Sequence, residues 1–394
     1  MRRLISFALL ALAVTVAKSQ DTGTGFVDNG YYRIQNFATQ RYVYVTDNKD
    51  YSEIGRESYD FQAIQLWKNI EKAVSDPASV VYIIKNNDTQ YDLTAQGTGV
   101  HSLTGYYVNV TKQRNGTYEV SATKSNVTKY LYDGKSSSTA QQGSMSTSGK
   151  SEDYRRWIVD KITTDHATNY VGIAPTIELN GTYYQPFCAA FPFRAASPEM
   201  HIYYISDVEG RWALMQEIEG DIPAGTPVII ECASTDPSDN RIELLASTSA
   251  QVTGNKLSGL YFCNGTRPKE SADAYIKFDA ATMRVFTVTD GKLVLSNDAT
   301  GRLNNIKVND YVNYTTVSAD CLYANTSYLK ADENTESVIE LTSDPTDIGN
   351  LPGERKASGK GVYSVSGAQL RPTSDTAGLP AGLYIVGGKK VVVR

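Results

Sequence analysis

Tyr32-Arg33-Ile34-Gln35-Asn36, followed by Thr39-Gln40, returns as Tyr82-Ile83-Ile84-Lys85-Asn86, followed by Thr89-Gln90. Both copies read Tyr-x-Ile-x-Asn-x-x-Thr-Gln. The alternation within each copy has the period of a strand. The Asn, Thr and Gln that follow are turn chemistry. A third, degraded copy begins at Tyr118-Glu119-Val120 and continues to Tyr130-Leu131-Tyr132-Asp133-Gly134. Recurrence of hairpin-like units at roughly 35 to 50 residues calls for a repeat architecture.

Three such units, over residues 20–165, resemble a β-trefoil of the ricin B-type lectin kind. Gln65-Leu66-Trp67 matches the Gln-x-Trp that closes the repeats of that family, and Arg155-Arg156-Trp157 stands where another repeat would close. Phe61, Ile64, Trp67, Ile70 and Val74 also recur at helical spacing. An amphipathic helix between repeats one and two, stopped at Asp76-Pro77, is therefore the competing reading of that stretch. A plain β-barrel or sandwich competes for the domain as a whole. Ser136 to Lys150 lacks apolar periodicity and reads as a loop inside the third repeat.

A sugar ring has a polar rim and an apolar face. A site for one needs a carboxylate to accept from hydroxyls and an aromatic ring to stack on. Near the repeat turns the candidates are Tyr44 with Asp47, Tyr91 with Asp92, and Tyr132 with Asp133. The competing reading of each pair is a turn-forming Asp beside a strand Tyr.

The rest of the 394-residue chain is read as all-β. The 27 tyrosines favour strands and wet binding surfaces. The net charge of −5 offers no basic footprint for nucleic acid. Over residues 166–346, short strands are expected at 201–205, 212–215, 227–230, 257–262, 275–278, 284–288 and 293–295. Their spacing of about ten residues suggests a β-sandwich. Asp221 to Ile230 and Leu322 to Leu329 resemble β-sandwich modules of Bacteroidetes surface proteins. All four cysteines, Cys188, Cys232, Cys263 and Cys321, fall in this domain. They permit two disulfides, or they are buried thiols acting as small hydrophobes. His101, His166 and His201 show no ligand spacing, and no cofactor is expected. Gly-x-Ser-x-Gly, His-Glu-x-x-His and P-loop motifs are missing from the sequence.

The termini concern delivery. Arg2-Arg3, the apolar run Leu4 to Val16 and Ala17-Lys18-Ser19 form a signal peptide over residues 1–19. At the other end, residues 347–394 are a linker and tail. Leu383 to Val386 and Val391 to Val393 flank Gly387-Gly388, a strong hairpin signal, and Val362 to Val365 with the segment around Leu370 forms a weaker one. This ending resembles the C-terminal sorting module of Bacteroidetes exported proteins. The resemblance implies that secretion machinery is a partner.

The sequence thus describes a secreted or outer-surface, non-enzymatic protein. It has an N-terminal trefoil-like domain, a central β-sandwich and a short C-terminal β-hairpin tail, with no transmembrane segment in the mature chain. The expected partners are glycans or glycoproteins. A structural or adhesive surface protein and a secreted glycan hydrolase are the alternatives. N-terminal sequencing of secreted material is expected to begin at Gln20; an intact Met1 would sink the signal-peptide reading.

Overall fold

The computed structural model describes residues 28–45, 64–67, 70–96, 108–113, 115–124, 126–133, 144–146, 152–261, 275–310, 315–343, 362–364, 369–371, 376, 378–386 and 389–393. The signal-peptide stretch, Asp47, His101 and Cys263 lie outside them.

The first unit is a closed ring of six antiparallel strands. These are β1 (Gly30–Asn36), β4 (Val81–Lys85), β5 (Gln90–Ala95), β6 (Val108–Lys112), β7 (Tyr118–Lys124) and β10 (Arg156–Lys161). Each pairs with the next, and β10 returns to β1 over five residue pairs from Tyr32↔Lys161 to Asn36↔Trp157. Two hairpins extend the ring. One is β2 (Tyr42–Val45) with β3 (Ile64–Trp67), joined to β1; the other is β8 (Val127–Tyr132) with β9 (Ser144–Ser146), joined to β7. A six-stranded barrel with hairpins inserted between its strands is the connectivity of a β-trefoil.

Its repeats run β1 to β4, β5 to β6 and β7 to β10. The Tyr-x-Ile-x-Asn copies therefore do not mark successive repeats. The first opens repeat one on β1 and the second closes it on β4, where Tyr31 stands opposite Tyr82. What the copies share is a strand and its turn. Asn36 Oδ1 accepts from the amides of Ala38 and Thr39, and Asn87 Oδ1 accepts from those of Thr89 and Gln90. Such side-chain mimics of a backbone turn are the usual work of Asn.

Gln65-Leu66-Trp67 lies on β3, the second strand of a cap hairpin, and does not close a repeat. The helix expected around it is confined to α1 (Ile70–Ser75). It stops where Asp76 begins a single 3-10 turn, its carboxylate accepting from the Ala78 amide at 2.8 Å. The Ser/Gly-rich stretch expected to be loop contains β9. Trp157, on the closing strand β10, is the largest buried side chain of the barrel. It packs with Ile34, Val81, Leu93, Val120 and Leu131, and its indole N–H donates to the Leu131 carbonyl at 3.1 Å.

The second unit is built on a ten-stranded curled sheet. In sheet order its strands are β12 (Ile177–Leu179), β13 (Thr182–Phe187), β17 (Val228–Cys232), β15 (His201–Glu209), β16 (Trp212–Glu217), β26 (Val338–Thr342), β22 (Lys292–Ser296), β21 (Met283–Thr289), β25 (Thr326–Lys330) and β19 (Leu257–Leu260). Asn180-Gly181 and Asp290-Gly291 turn two of its hairpins, all four residues at positive φ, as tight hairpin turns require. Ile229 faces one core, with Ile205, Phe286, Leu295 and Ile339. Val228, Ile230 and Cys232 face another.

That second core is covered by a small sheet of β11 (Val171–Gly172), β18 (Arg241–Leu244) and β14 (Phe193–Ala195). It also takes in Tyr31, Val80, Tyr82 and Ile162 of the trefoil. The two units thus share a core across residue 165. A further sheet joins β20 (Tyr275–Lys277), β24 (Thr315–Tyr323) and β23 (Asn304–Asp310). Cys188 and Cys232 are free buried thiols and Cys321 is buried, so the two-disulfide alternative does not hold. Burial raises the Cys188 and Cys232 pKa values, which keeps both thiols protonated and inert.

The tail is a four-stranded sheet, β28 (Gln369–Arg371), β27 (Val362–Ser364), β29 (Gly382–Val386) and β30 (Lys389–Val393). The β29–β30 register runs to Val386↔Lys389, which leaves Gly387-Gly388 as their connection, and the weaker β27–β28 hairpin is also present. Among the described residues no helix is long and apolar enough to cross a membrane.

Trp157→Ala is expected to cost roughly 3–5 kcal/mol, the range for emptying a buried aromatic site. Urea unfolding should show a lowered midpoint; an unchanged midpoint would mean that the barrel does not depend on this side chain.

Candidate functional site

Successive residues of a strand point to opposite faces. This rule separates the sequence-predicted pairs. Tyr91 points into the barrel core and is fully buried, whereas Asp92 is half-buried on the other face of β5. Tyr132 ends β8 half-buried, while Asp133 behind it is fully buried. Tyr44 lies on β2 opposite Gln65, but its side chain, like Asp47, is outside the described residues. Neither described Tyr–Asp pair brings a ring and a carboxylate to one surface.

Asp133 belongs instead to a buried ion pair. Its Oδ1 lies 2.8 Å from Arg41 Nη2, and its Oδ2 accepts from Arg41 Nε at 2.9 Å and from the Thr39 hydroxyl. The Asp133 amide donates to the Tyr154 carbonyl at 3.0 Å, and Asn36 Nδ2 donates to the same oxygen at 2.9 Å. The turn after β1 is thereby fastened to the end of β8, joining repeat one to repeat three. Both carboxylate oxygens are occupied within the protein, so Asp133 is a structural anchor and does not face a ligand.

A different group faces outward on the third repeat. Arg155 lies over the Tyr130 ring, 4.5 Å from its centroid, and its Nη2 is 3.6 Å from Glu119 Oε1. Gln113 Nε2 donates to Glu119 Oε2 at 3.3 Å. The Arg155 and Glu119 side chains are about one-fifth exposed, 20% and 19%. Arg155 Nε is shielded from solvent and has no hydrogen-bond partner among the described residues. A guanidinium donor, a carboxylate acceptor and a tyrosine ring thus meet at one partly shielded place. These are the groups that hydroxyl-rich ligands engage.

Sequence reasoning missed this group because its members come from β7, β8 and the one-turn segment Glu152–Arg155. Only Arg155-Arg156-Trp157 offered a signal, and there the tryptophan drew the reading. Among the described residues no group of three or more His, Cys, Asp or Glu could hold a metal ion.

No family model matches the sequence, and no curated protein matches it. Solved structures similar to the chain include the BEL β-trefoil in an apo crystal form. It is 11% identical, covering 35% of this chain and 96% of its own, with a TM-score of 0.26. A mosquitocidal holotoxin is 12% identical over 78% of this chain and 34% of its own, TM-score 0.27. Cry35Ab1 is 12% identical over 49% and 68%, TM-score 0.24. The trefoil assignment rests on the strand pairing described above.

Asp133→Asn should leave Arg41 buried without its counter-charge, at a cost of roughly 3–5 kcal/mol. Denaturant unfolding would measure it. Arg41→Met with Asp133→Leu should recover much of that loss. A neutral effect of Asp133→Asn would show that the pair is not an anchor.

Proposed function

We propose that the chain is an exported, non-enzymatic binding protein whose trefoil recognises glycans. The observation that carries this reading is the group of Tyr130, Arg155 and Glu119, in which a guanidinium and a carboxylate, each about one-fifth exposed, meet beside a tyrosine ring. A sugar's hydroxyls can accept from the guanidinium and donate to the carboxylate, while its apolar face meets an aromatic edge. The signal-like N-terminus supports delivery to the outside or the outer surface of a Bacteroidetes-like cell. In the tail, Leu383 stands opposite Val392, and with Leu370 all three are large exposed apolar side chains. This is the surface we assign to the export machinery.

Stacking and a few hydrogen bonds contribute about a kcal/mol apiece in water. After the cost of association, one site should bind near millimolar, roughly −4 kcal/mol. The test uses the full chain, since the trefoil shares its core with the second unit. On a glycan array the wild type should bind, and Glu119→Gln with Arg155→Met should weaken that binding by about tenfold or more, the loss of one charged hydrogen bond. Absence of binding to every glycan would sink the lectin reading and favour an adhesive protein.

A further inference from the structure

The inner face of the curled sheet ends in a second polar group, far along the chain from the trefoil. Tyr184, Glu231 and His201 stand side by side across β13, β17 and β15. Next to them Tyr203 pairs with Glu217 across β15 and β16. All five share a face with Ile229, Ile205, Ala213 and Met215, which line the core within the sheet; Tyr184 and Tyr203 pack against that core. The row therefore sits where the apolar interior of a curled sheet opens to solvent. The mouths of β-barrels are a recurrent place for small-molecule sites.

The groups are already oriented. His201 Nδ1 lies 2.7 Å from Glu217 Oε1. The Tyr203 pKa is pushed up to about 12, by burial first and then by the charges of Glu231 and Glu217. The imidazole ring lies 6.4 Å from the Tyr203 ring, inclined by 30°. Its pKa is raised, chiefly by the hydrogen bond to Glu217, which favours the doubly protonated donor form. Glu217 holds His201 through one carboxylate oxygen, and Glu231 lies between Tyr184 and His201 across the strands.

An exposed His–Glu pair alone is ordinary surface chemistry. Here two carboxylates converge on stacked rings at a core opening, and this sets the group apart. The described residues hold no metal-binding group, so a cation shared between carboxylates is not the fit. Two acceptors and one donor beside aromatic faces match the mixed donor and acceptor rim of a pyranose.

We propose that Tyr184, His201, Tyr203, Glu217 and Glu231 form a second sugar-binding site, at the mouth of the curled sheet and independent of the trefoil site. It takes a neutral hexopyranose whose vicinal hydroxyls donate to Glu217 and Glu231 and whose ring lies against His201 and Tyr203.

The chain has three histidines, so ring resonances of carbon-13 histidine-labelled protein can be assigned with His201→Gln. The full chain is titrated with glucose, galactose, mannose and N-acetylglucosamine up to roughly 100 mM, well above millimolar affinity. The His201 signal should shift saturably with at least one sugar. Glu231→Gln should weaken that response about tenfold, and Tyr203→Phe, which keeps the ring and removes the phenol, should weaken it less. Thermal midpoints of both variants check that they fold. The trefoil variant Glu119→Gln/Arg155→Met should give the wild-type His201 response, so that failure of the trefoil reading leaves this one standing. A His201 signal unmoved by all four sugars overturns the proposal. An equal shift in Glu231→Gln, or loss of the shift in the trefoil variant, also overturns it.

Discussion

One strand has to serve two cores, and the architecture follows from that constraint. Along β1, Tyr32 and Ile34 point into the barrel, while Tyr31 and Arg33 point at the second unit. Tyr31 packs edge-on against Tyr82 and Phe191, and its hydroxyl donates to the Leu245 carbonyl at 2.9 Å. Arg33 is almost fully buried. Its Nη1 donates to Asn169 Oδ1 at 2.8 Å and its Nε to Ser79 Oγ at 3.0 Å. Burial lowers its pKa to about 10, against the opposing pull of Tyr42, Asp76 and Tyr170, so it remains a cation at neutral pH. A buried charge held by neutral partners tolerates little displacement. The trefoil and the second unit are accordingly fastened face to face.

A second fastening shows the same economy. Gln96 directly follows β5, with φ of +61°, and is fully buried. Its Oε1 accepts from the Ala190 amide and from Asn325 Nδ2, both at 3.2 Å, while Asn325 Nδ2 also donates to the Cys188 carbonyl at 2.9 Å. Asn325 itself stands at φ of +66°. Two side chains in a backbone region that L-residues seldom adopt are held by one amide network. Strain of this kind persists where surrounding contacts over-determine it. The two candidate sugar sites therefore project from one braced body, not from beads on a string, and two weak sites at fixed separation favour a ligand that spans both.

Much of the fold was legible locally. Each of the seven strands expected between 201 and 295 falls on an observed one, and Gly387-Gly388 marked its hairpin, because these signals are carried by adjacent residues. Pairing was not legible. The Tyr-x-Ile-x-Asn echo revealed strand and turn but not that its copies sit side by side in one repeat. Nor does sequence adjacency bring side chains together: Tyr91 and Asp92 are neighbours in the chain and point apart. Arg41 and Asp133 are 92 positions apart and touch. Both candidate sites are assembled across strands, His201 from β15 beside Glu231 from β17, and period-two reading can assign faces only when the partners are known.

The pairing of β1 with β10 also sets a clock. Tyr32 meets Lys161 only after the chain between them exists, and the Tyr31 hydroxyl waits for Leu245. At about 5–20 residues per second of synthesis, that interval is on the order of ten seconds or more. Helices and tight hairpins form in microseconds, so β2–β3 and β8–β9 can be in place long before the ring shuts. During the wait β2 and β4 can already pair with β1, but the stretch of its edge that will receive β10 stays unpaired, open to the wrong strand or to another copy. The chain's hazard for misassembly is thus concentrated in its first strand, and whatever shields a nascent chain has most to do there.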